Sequence, residues 1–324
     1  MECASIDIGT NTVRLLVCYL DKDKKKLTPL AVKRIITRLG GSYSDKDGID
    51  KESAERTFEA LEVFSQMIND FGVDEVHATA TSVVRRASNS KWFVDEAFKR
   101  SGIKIDVIDG DKEATLSAKG VASVLDKTIT LRPFIFDIGG GSTEFIVTDK
   151  DNDKMTVKGK WSMELGVVHL TEKYLKGDSE GRLSEDELSE MKKEIDRVVS
   201  SVKDIMSKDG LNADDYSGES RATLVGTAGT VTTLAAIDQE MAVYNPNKIN
   251  NYVLRKDTVK VLYKHLASLT LKEREEMLAL EKGREDLIVA GAAIVLSIMN
   301  NFGFNSMRVS DAGLLEGILI DLID

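Results

Sequence analysis

The chain repeats itself once, at a distance too long for a solenoid. Ser5 to Val17 lies on Ile135 to Val147 at a constant offset of 130, which sets Asp7 on Asp137, Ile8 on Ile138, Gly9 on Gly139, Thr12 on Ser142 and Val17 on Val147. Each copy is an apolar run, a glycine turn and a second apolar run, which predicts strand, tight turn, strand. Both continue through an acidic, lysine-rich turn into another strand-like segment and end on Leu-Gly, at Leu39-Gly40 and Leu165-Gly166. A repeat separated by more than a hundred residues implies two like-folded halves.

The second copy carries more chemistry. Phe134, Ile135 and Phe136 run into Asp137, then Gly139, Gly140 and Gly141, then Ser142, Thr143 and Glu144. Glycines admit positive φ and let backbone N–H groups approach a ligand, so this turn reads as a cradle for phosphate oxygens. Asp137 and Glu144 would repel phosphate unless a hard divalent cation lay between them, with Asp7 as a further ligand. The first copy places Gly9, Thr10, Asn11 and Thr12 in the matching turn. A third glycine turn, Gly226-Thr227-Ala228-Gly229-Thr230, opens a predicted helix, where free N–H groups and the helix dipole favour an anion. A solvated glycine-rich hairpin with two acids is the plainer alternative.

These segments resemble the actin-like ATPase superfamily. Within it, Asp137 to Glu144, Ala80-Thr81-Ser82-Val83-Val84-Arg85, Asp109 to Ala114 and Ser162-Met163-Glu164-Leu165-Gly166 are similar to the exopolyphosphatase and guanosine pentaphosphate phosphohydrolase family. The resemblance runs in the family's order over nearly the whole chain. It implies an α/β protein with a duplicated ribonuclease H-like fold, two lobes with mixed central sheets flanked by helices and a cleft between them. It also implies a phosphohydrolase dependent on Mg²⁺ or Mn²⁺, acting on polyphosphate or guanosine pentaphosphate, with guanosine tetraphosphate as a further ligand and a homodimer left open.

By the same resemblance, Arg85 binds phosphate with Ser82 nearby, and Glu113 is the base that takes the proton of the attacking water. A carboxylate in the first turn of a helix has a fixed direction suited to that task. Dipole complementarity alone would also place an acid there. The chain departs from the family at Lys112, where an acid is usual, and at His169 and Leu315, where arginine is usual. Arg284 matches the family's spacing as a residue ordering the pocket. A non-catalytic sensor of the same anions and a small-molecule kinase remain alternative readings.

Composition narrows the partners. With 324 residues, 42% hydrophobic and 30% charged, the chain can build two cores. The division expected is 1–129, completed by the segment 311–324, and 130–310. A net charge of −10 argues against nucleic-acid binding over a broad basic face. It leaves room for a local phosphate site, because charges beyond about 8–10 Å are screened. Lys22 to Lys26, Lys33, Arg34, Arg38, Arg85, Arg86 and Lys91 are candidates for a track that guides a long polyphosphate. No apolar run reaches membrane-spanning length and no basic, apolar leader precedes the first strand, so a cytoplasmic protein with no membrane partner is expected. Cys3 and Cys18 read as buried free thiols. His77, His169 and His265 stand too far apart in sequence to suggest zinc.

Along the chain, strands are predicted at Cys3–Ile8, Val13–Leu20, Leu27–Arg34, Glu75–Ala80, Lys104–Ile108, Phe134–Asp137, Thr143–Thr148, Met155–Trp161, Arg221–Val225 and Met307–Ser310. Helices are predicted from Lys51 to Phe71 behind an Asp50 cap, Lys91 to Arg100, Glu113 to Leu125 and Ser184 to Lys208 behind a capping box. Further helices are Val231 to Ile237, Asp257 to Leu269, Arg284 to Phe302 and a C-terminal one.

Overall fold

The computed structural model describes the chain apart from residues 22–25, 42, 44–45, 128, 130, 152–153, 278 and 324. The Lys22 to Lys25 part of the basic run lies outside the described residues. Two compact units form, Met1–Gly120 with Gly313–Asp324, and Val121–Ala312.

The first unit begins with β1 (Glu2–Ile8), β2 (Thr12–Asp21) and β3 (Lys26–Ile36), an antiparallel meander. Helix α1 (Lys51–Asp70) follows, and its N-cap Asp50 accepts from the amides of Glu52 and Ser53. Those bonds, working against partial burial, hold the Asp50 carboxyl below the usual range. Gly72, at φ +62°, lets the chain turn out of this helix. Then come β4 (Glu75–Ala80), α2 (Ser82–Arg86), α3 (Ser90–Ser101), β5 (Ile105–Val107) and α4 (Gly110–Val124). The sheet order is β3-β2-β1-β4-β5, with β4 parallel to both β1 and β5.

Alternation along β1 and β2 sorts residues to two faces. Ala4, Ile6, Ile8, Val13, Leu15 and Val17 join Phe58, Leu61, Phe64 and Phe93 in one core. On the other face Cys3 and Cys18 oppose each other with sulfurs 3.4 Å apart, both buried and not joined by a disulfide. The bond to Cys3 and burial raise the Cys18 thiol pKa.

The second unit repeats the frame. Strands β6 (Arg132–Ile138), β7 (Thr143–Asp151) and β8 (Lys154–Met163) form the second meander. Next are α5 (Val167–Tyr174), α6 (Glu185–Lys208), β9 (Ala222–Thr227), α7 (Ala228–Asp238), α8 (Pro246–Ile249), β10 (Val253–Arg255), α9 (Lys256–Ser268), α10 (Leu271–Glu275), α11 (Ile288–Asn301) and β11 (Ser306–Val309). The order is β10-β11-β9-β6-β7-β8. Strand for strand, β6, β7, β8 and β9 stand for β1, β2, β3 and β4, and even the register shift recurs, at Val17/Cys18 and again at Val147/Thr148. Ser184 and Glu187 make the capping box of α6. Phe134, Phe136, Phe145, Phe302 and Phe304 centre a core closed by α6, α7 and α11.

The last helix, α12 (Leu314–Ile320), returns to the first unit, where Leu315 and Leu319 cover Cys3, Leu16 and Cys18. Among the described residues, no helix is long and apolar enough to cross a membrane.

Candidate active site

Both hairpin turns close in the same way. The amide of Gly9 donates to the Thr12 carbonyl at 3.0 Å, and that of Gly139 to the Ser142 carbonyl at 2.9 Å. A Cβ on Gly9 would stand 3.2 Å from that carbonyl oxygen, and one on Gly139 3.1 Å. Neither glycine has positive φ. What these positions favour in glycine is therefore the absence of a Cβ that would press on the turn, not a left-handed backbone.

The repeated Leu-Gly segment braces each turn from behind. In the first unit the amides of Thr37 and Arg38 donate to Asn11, and that of Gly40 donates to Thr10. In the second, the amides of Val167 and Val168 at the start of α5 donate to Gly139 and Gly140. A Cβ on Gly40 would stand 2.2 Å from Thr10 Cγ2, and one on Gly166 2.1 Å from the Gly140 oxygen. Thr10, Asn11, Thr12, Ser142 and Thr143 are buried around these turns.

The turns differ at one position. Asp7 and Arg14 are directly opposed on β1 and β2, and the guanidinium donates to Asp7 Oδ2 through Nε at 3.0 Å and Nη2 at 2.6 Å. At the matching place in the second unit Asp137 faces Glu144. Glu144 is 2% exposed and its Oε1 accepts from Ser142 Oγ at 2.8 Å and Ser162 Oγ at 2.7 Å. Like charges directly across a pair of strands destabilise each other. An oxygen-only set of two carboxylates and neutral hydroxyls, with no histidine or thiol, fits a hard cation that takes its remaining ligands from water and phosphate. Among the described residues no group of three or more His, Cys, Asp or Glu gathers to hold a metal alone.

In the first unit Glu113 and Arg85 come together. Thr81 donates its amide to Ile8 at the end of β1, which starts α2 beside the first turn. Ser82 is buried at the head of that helix. Arg85 in its last turn donates through Nη1 to the Ile108 carbonyl at 2.8 Å and to Glu113 Oε2 at 3.1 Å. Glu113 sits in the first turn of α4, which begins three residues earlier than the apolar pattern predicts, and is 9% exposed.

The third turn is tighter than its sequence implies. Gly226 and Thr227 finish β9, and the chain enters α7 at Ala228, which takes φ +70°, a conformation that disfavours a side chain. The Arg284 guanidinium lies over Gly229, 2.2–2.4 Å from where a Cβ would stand, and Arg284 Nε donates to Glu281 Oε2. Thr230 is buried, and Gly291 of α11 leaves room for it. Thr227 Oγ1 donates to the Ala312 carbonyl, and Thr143 Oγ1 to that of Leu165. Those two hydroxyl protons are committed within the protein.

Arg14 and Thr79 are not singled out by the sequence, and Ser162 is visible there only as part of a motif, with no role attached. The offset of 130 puts Arg14 on Glu144 and would have exposed the charge reversal. Ser162 is the cross-strand partner of Glu144, and Thr79 that of Asp7. Thr79 Oγ1 is buried with no hydrogen-bond partner among the described residues. His169 is exposed on α5, and the Leu315 side chain packs in the core.

Two mixed sheets built on one repeated strand frame, each with a glycine turn at the strand ends, define a protein of the actin-like ATPase fold. The chain belongs to the Ppx/GppA phosphatase family, whose sequence profile matches residues 19–324. An exopolyphosphatase from Cytophaga hutchinsonii is 27% identical, with a TM-score of 0.86 over 100% of this chain and 98% of that one. The Aquifex aeolicus member of the Ppx/GppA family is 29% identical, with a TM-score of 0.78 over 100% and 97%. Exopolyphosphatase 2 of Mycobacterium tuberculosis is 28% identical over 98% of both chains. A bifunctional 3-dehydroquinate synthase/phosphatase of Fusobacterium nucleatum is 31% identical over 99% of this chain, which spans 46% of that protein's length.

Proposed function

We propose that the chain is a divalent-metal-dependent phosphohydrolase that releases terminal orthophosphate from inorganic polyphosphate, from guanosine pentaphosphate, or from both. The observation that carries the reading is the Glu113–Arg85 pair, a buried carboxylate held 3.1 Å from a guanidinium in the first turn of α4. Kinship with exopolyphosphatases supports the substrate class. Guanosine-5′-triphosphate,3′-diphosphate pyrophosphatase of Pseudoalteromonas translucida, 27% identical over 99% of this chain, supports the nucleotide as the second candidate.

In this reading the amides of Gly9 to Thr12 bind phosphate oxygens, as do those of Gly139 to Thr143 and of the Thr227–Thr230 turn. Hydrogen bonds to charged groups contribute about 1.5–3 kcal/mol each. Thr143 and Thr227 serve through their amides, since their hydroxyls already donate. Asp137 and Glu144 would hold Mg²⁺ or Mn²⁺, which would supply charge neutralisation at the phosphates. Asp7 is left to its Arg14 partner. Glu113 accepts the proton of the water that attacks the terminal phosphorus. Arg85 turns part of its charge to the transferred group, whose negative charge is spread over its oxygens. The P–O bond to the shortened chain breaks, and that oxygen leaves as an anion.

The test is orthophosphate release measured side by side on long polyphosphate, tripolyphosphate, guanosine pentaphosphate and ATP, with and without Mg²⁺. Release from polyphosphate or guanosine pentaphosphate that needs the metal and exceeds release from ATP supports the reading. Binding without turnover would make the chain a sensor and overturn it.

A further inference from the structure

The first unit holds an ionic clamp behind the proposed base that the reaction itself does not use. Asp321 Oδ2 is 2.5 Å from Lys112 Nζ, and its Oδ1 is 3.0 Å from Lys119 Nζ. Lys112 immediately precedes Glu113. Seven residues bring an α-helix to within about 20° of two full turns, so Lys112 and Lys119 rise from one stripe of α4 and reach one carboxylate. Asp321 caps the C-terminus of α12, the end at which a helix dipole disfavours an anion. Its place is explained by α4, not by its own helix. Hydrogen bonds from the two lysines outweigh partial burial and hold its carboxyl below the usual range.

The two helices also meet backbone to backbone. A Cβ on Gly317 would lie 1.8 Å from the Leu116 carbonyl oxygen, and one on Gly120 1.8 Å from that of Gly313. Leu116 packs with Leu314 and Ile318. At the other side of α12, Ser5 Oγ of β1 donates to the Leu315 carbonyl at 2.6 Å, on the strand that runs into the Gly9 turn. Helix α12 therefore braces the strand of the phosphate turn against the helix of the base, and Asp321 ties down the helix turn that carries Glu113.

We infer that Asp321 is a positioning residue for Glu113, acting through Lys112 and Lys119. The inference rests on the reading of Glu113 as the base. Lys112 and Asp321 are 47% and 32% exposed in their side chains, and exposed ion pairs add little to global stability. Direction is what the clamp supplies, so its loss should appear in turnover with little change in melting.

Asp321→Asn, Asp321→Glu, Lys112→Met and the double variant Lys112→Met/Asp321→Asn would be compared in the full chain, on whichever phosphate donor the wild type hydrolyses. The inference expects kcat of Asp321→Asn to fall about fivefold to twentyfold, KM to stay within about twofold, Asp321→Glu to recover most of the loss, and the double variant to be no worse than the single ones. Asp321→Asn that melts like the wild type and keeps its kcat overturns it, and so does a double variant whose losses multiply. A loss of activity that only follows a fall in melting temperature also overturns it. A wild type inactive on every donor, or a fully active Glu113→Gln, would instead remove the underlying reading.

Discussion

Asp137 on β6 stands directly opposite Glu144 on β7, in the frame where Asp7 stands opposite Arg14 on β1 and β2. One hairpin sets a guanidinium across from its acid, and the other sets a second carboxylate there. The strand geometry is shared while the charge at one position is reversed, and that reversal is what places the proposed cation at the second hairpin rather than the first.

Mg²⁺ should therefore raise the thermal stability of the wild type. At ten times its dissociation constant the gain is about 1.4 kcal/mol. Glu144→Gln should lose that response and, without metal, melt at or above the wild-type temperature because the opposed charges are gone. Scanning calorimetry with and without Mg²⁺ checks both statements. An unchanged response in Glu144→Gln removes the metal from this hairpin.

The two Leu-Gly braces should fail differently. In Gly40→Ala the new methyl meets a side-chain methyl of Thr10, so the double variant with Thr10→Ser should regain most of the stability lost. In Gly166→Ala it meets the Gly140 backbone, and no side-chain trimming relieves it. Cavity and overpacking penalties of this kind run to about 1–3 kcal/mol. Melting temperatures of the variants decide the matter, and equal rescue or equal failure in the two units would contradict the contact geometry.

Ala228 is the only member of the third turn with positive φ. Ala228→Gly should relieve this strain and raise stability by about 1 kcal/mol, and Ala228→Val should lower it by more. Chemical denaturation of both variants checks the sign. A destabilised glycine variant would mean that the strain is absent.

The Asp321 clamp also has a pH signature. Its folded carboxyl titrates below the unfolded value of about 3.9, so its contribution is complete above that value and disappears as pH falls through the lower, folded pKa. The small difference in melting between wild type and Asp321→Asn should thus be constant near neutrality and close only in acid. A difference that vanishes near pH 7 would contradict it.

Much of this architecture is legible in the residues because it is local. Apolar runs mark the two meanders, the Asp50 cap and the Ser184–Glu187 box mark α1 and α6, and the offset of 130 announces the shared frame, though not the register shift that recurs in it. Helices α2, α8 and α10 escape because four or five residues are too few to show a 3.6-residue period. In the site, the glycines and acids are visible, but their partners are not. The proton of Thr227 goes to Ala312, the Arg284 guanidinium lies on Gly229, and Lys112 meets Asp321, all across long sequence separations. Such pairings are set by how helices return to the sheets, which no short window contains. The Gly9 and Gly139 turns show the same limit in reverse, since their glycines spare a tight contact where composition suggested left-handed backbone.

In the proposed reaction Glu113 takes the proton of the attacking water. Steady-state orthophosphate release by Glu113→Gln, with substrate affinity measured separately by calorimetry, tests it most directly. The account predicts a kcat lower by about 10²–10⁴-fold, with affinity for the phosphate donor and melting temperature close to wild type. A variant that releases phosphate at a rate near that of the wild type would contradict it.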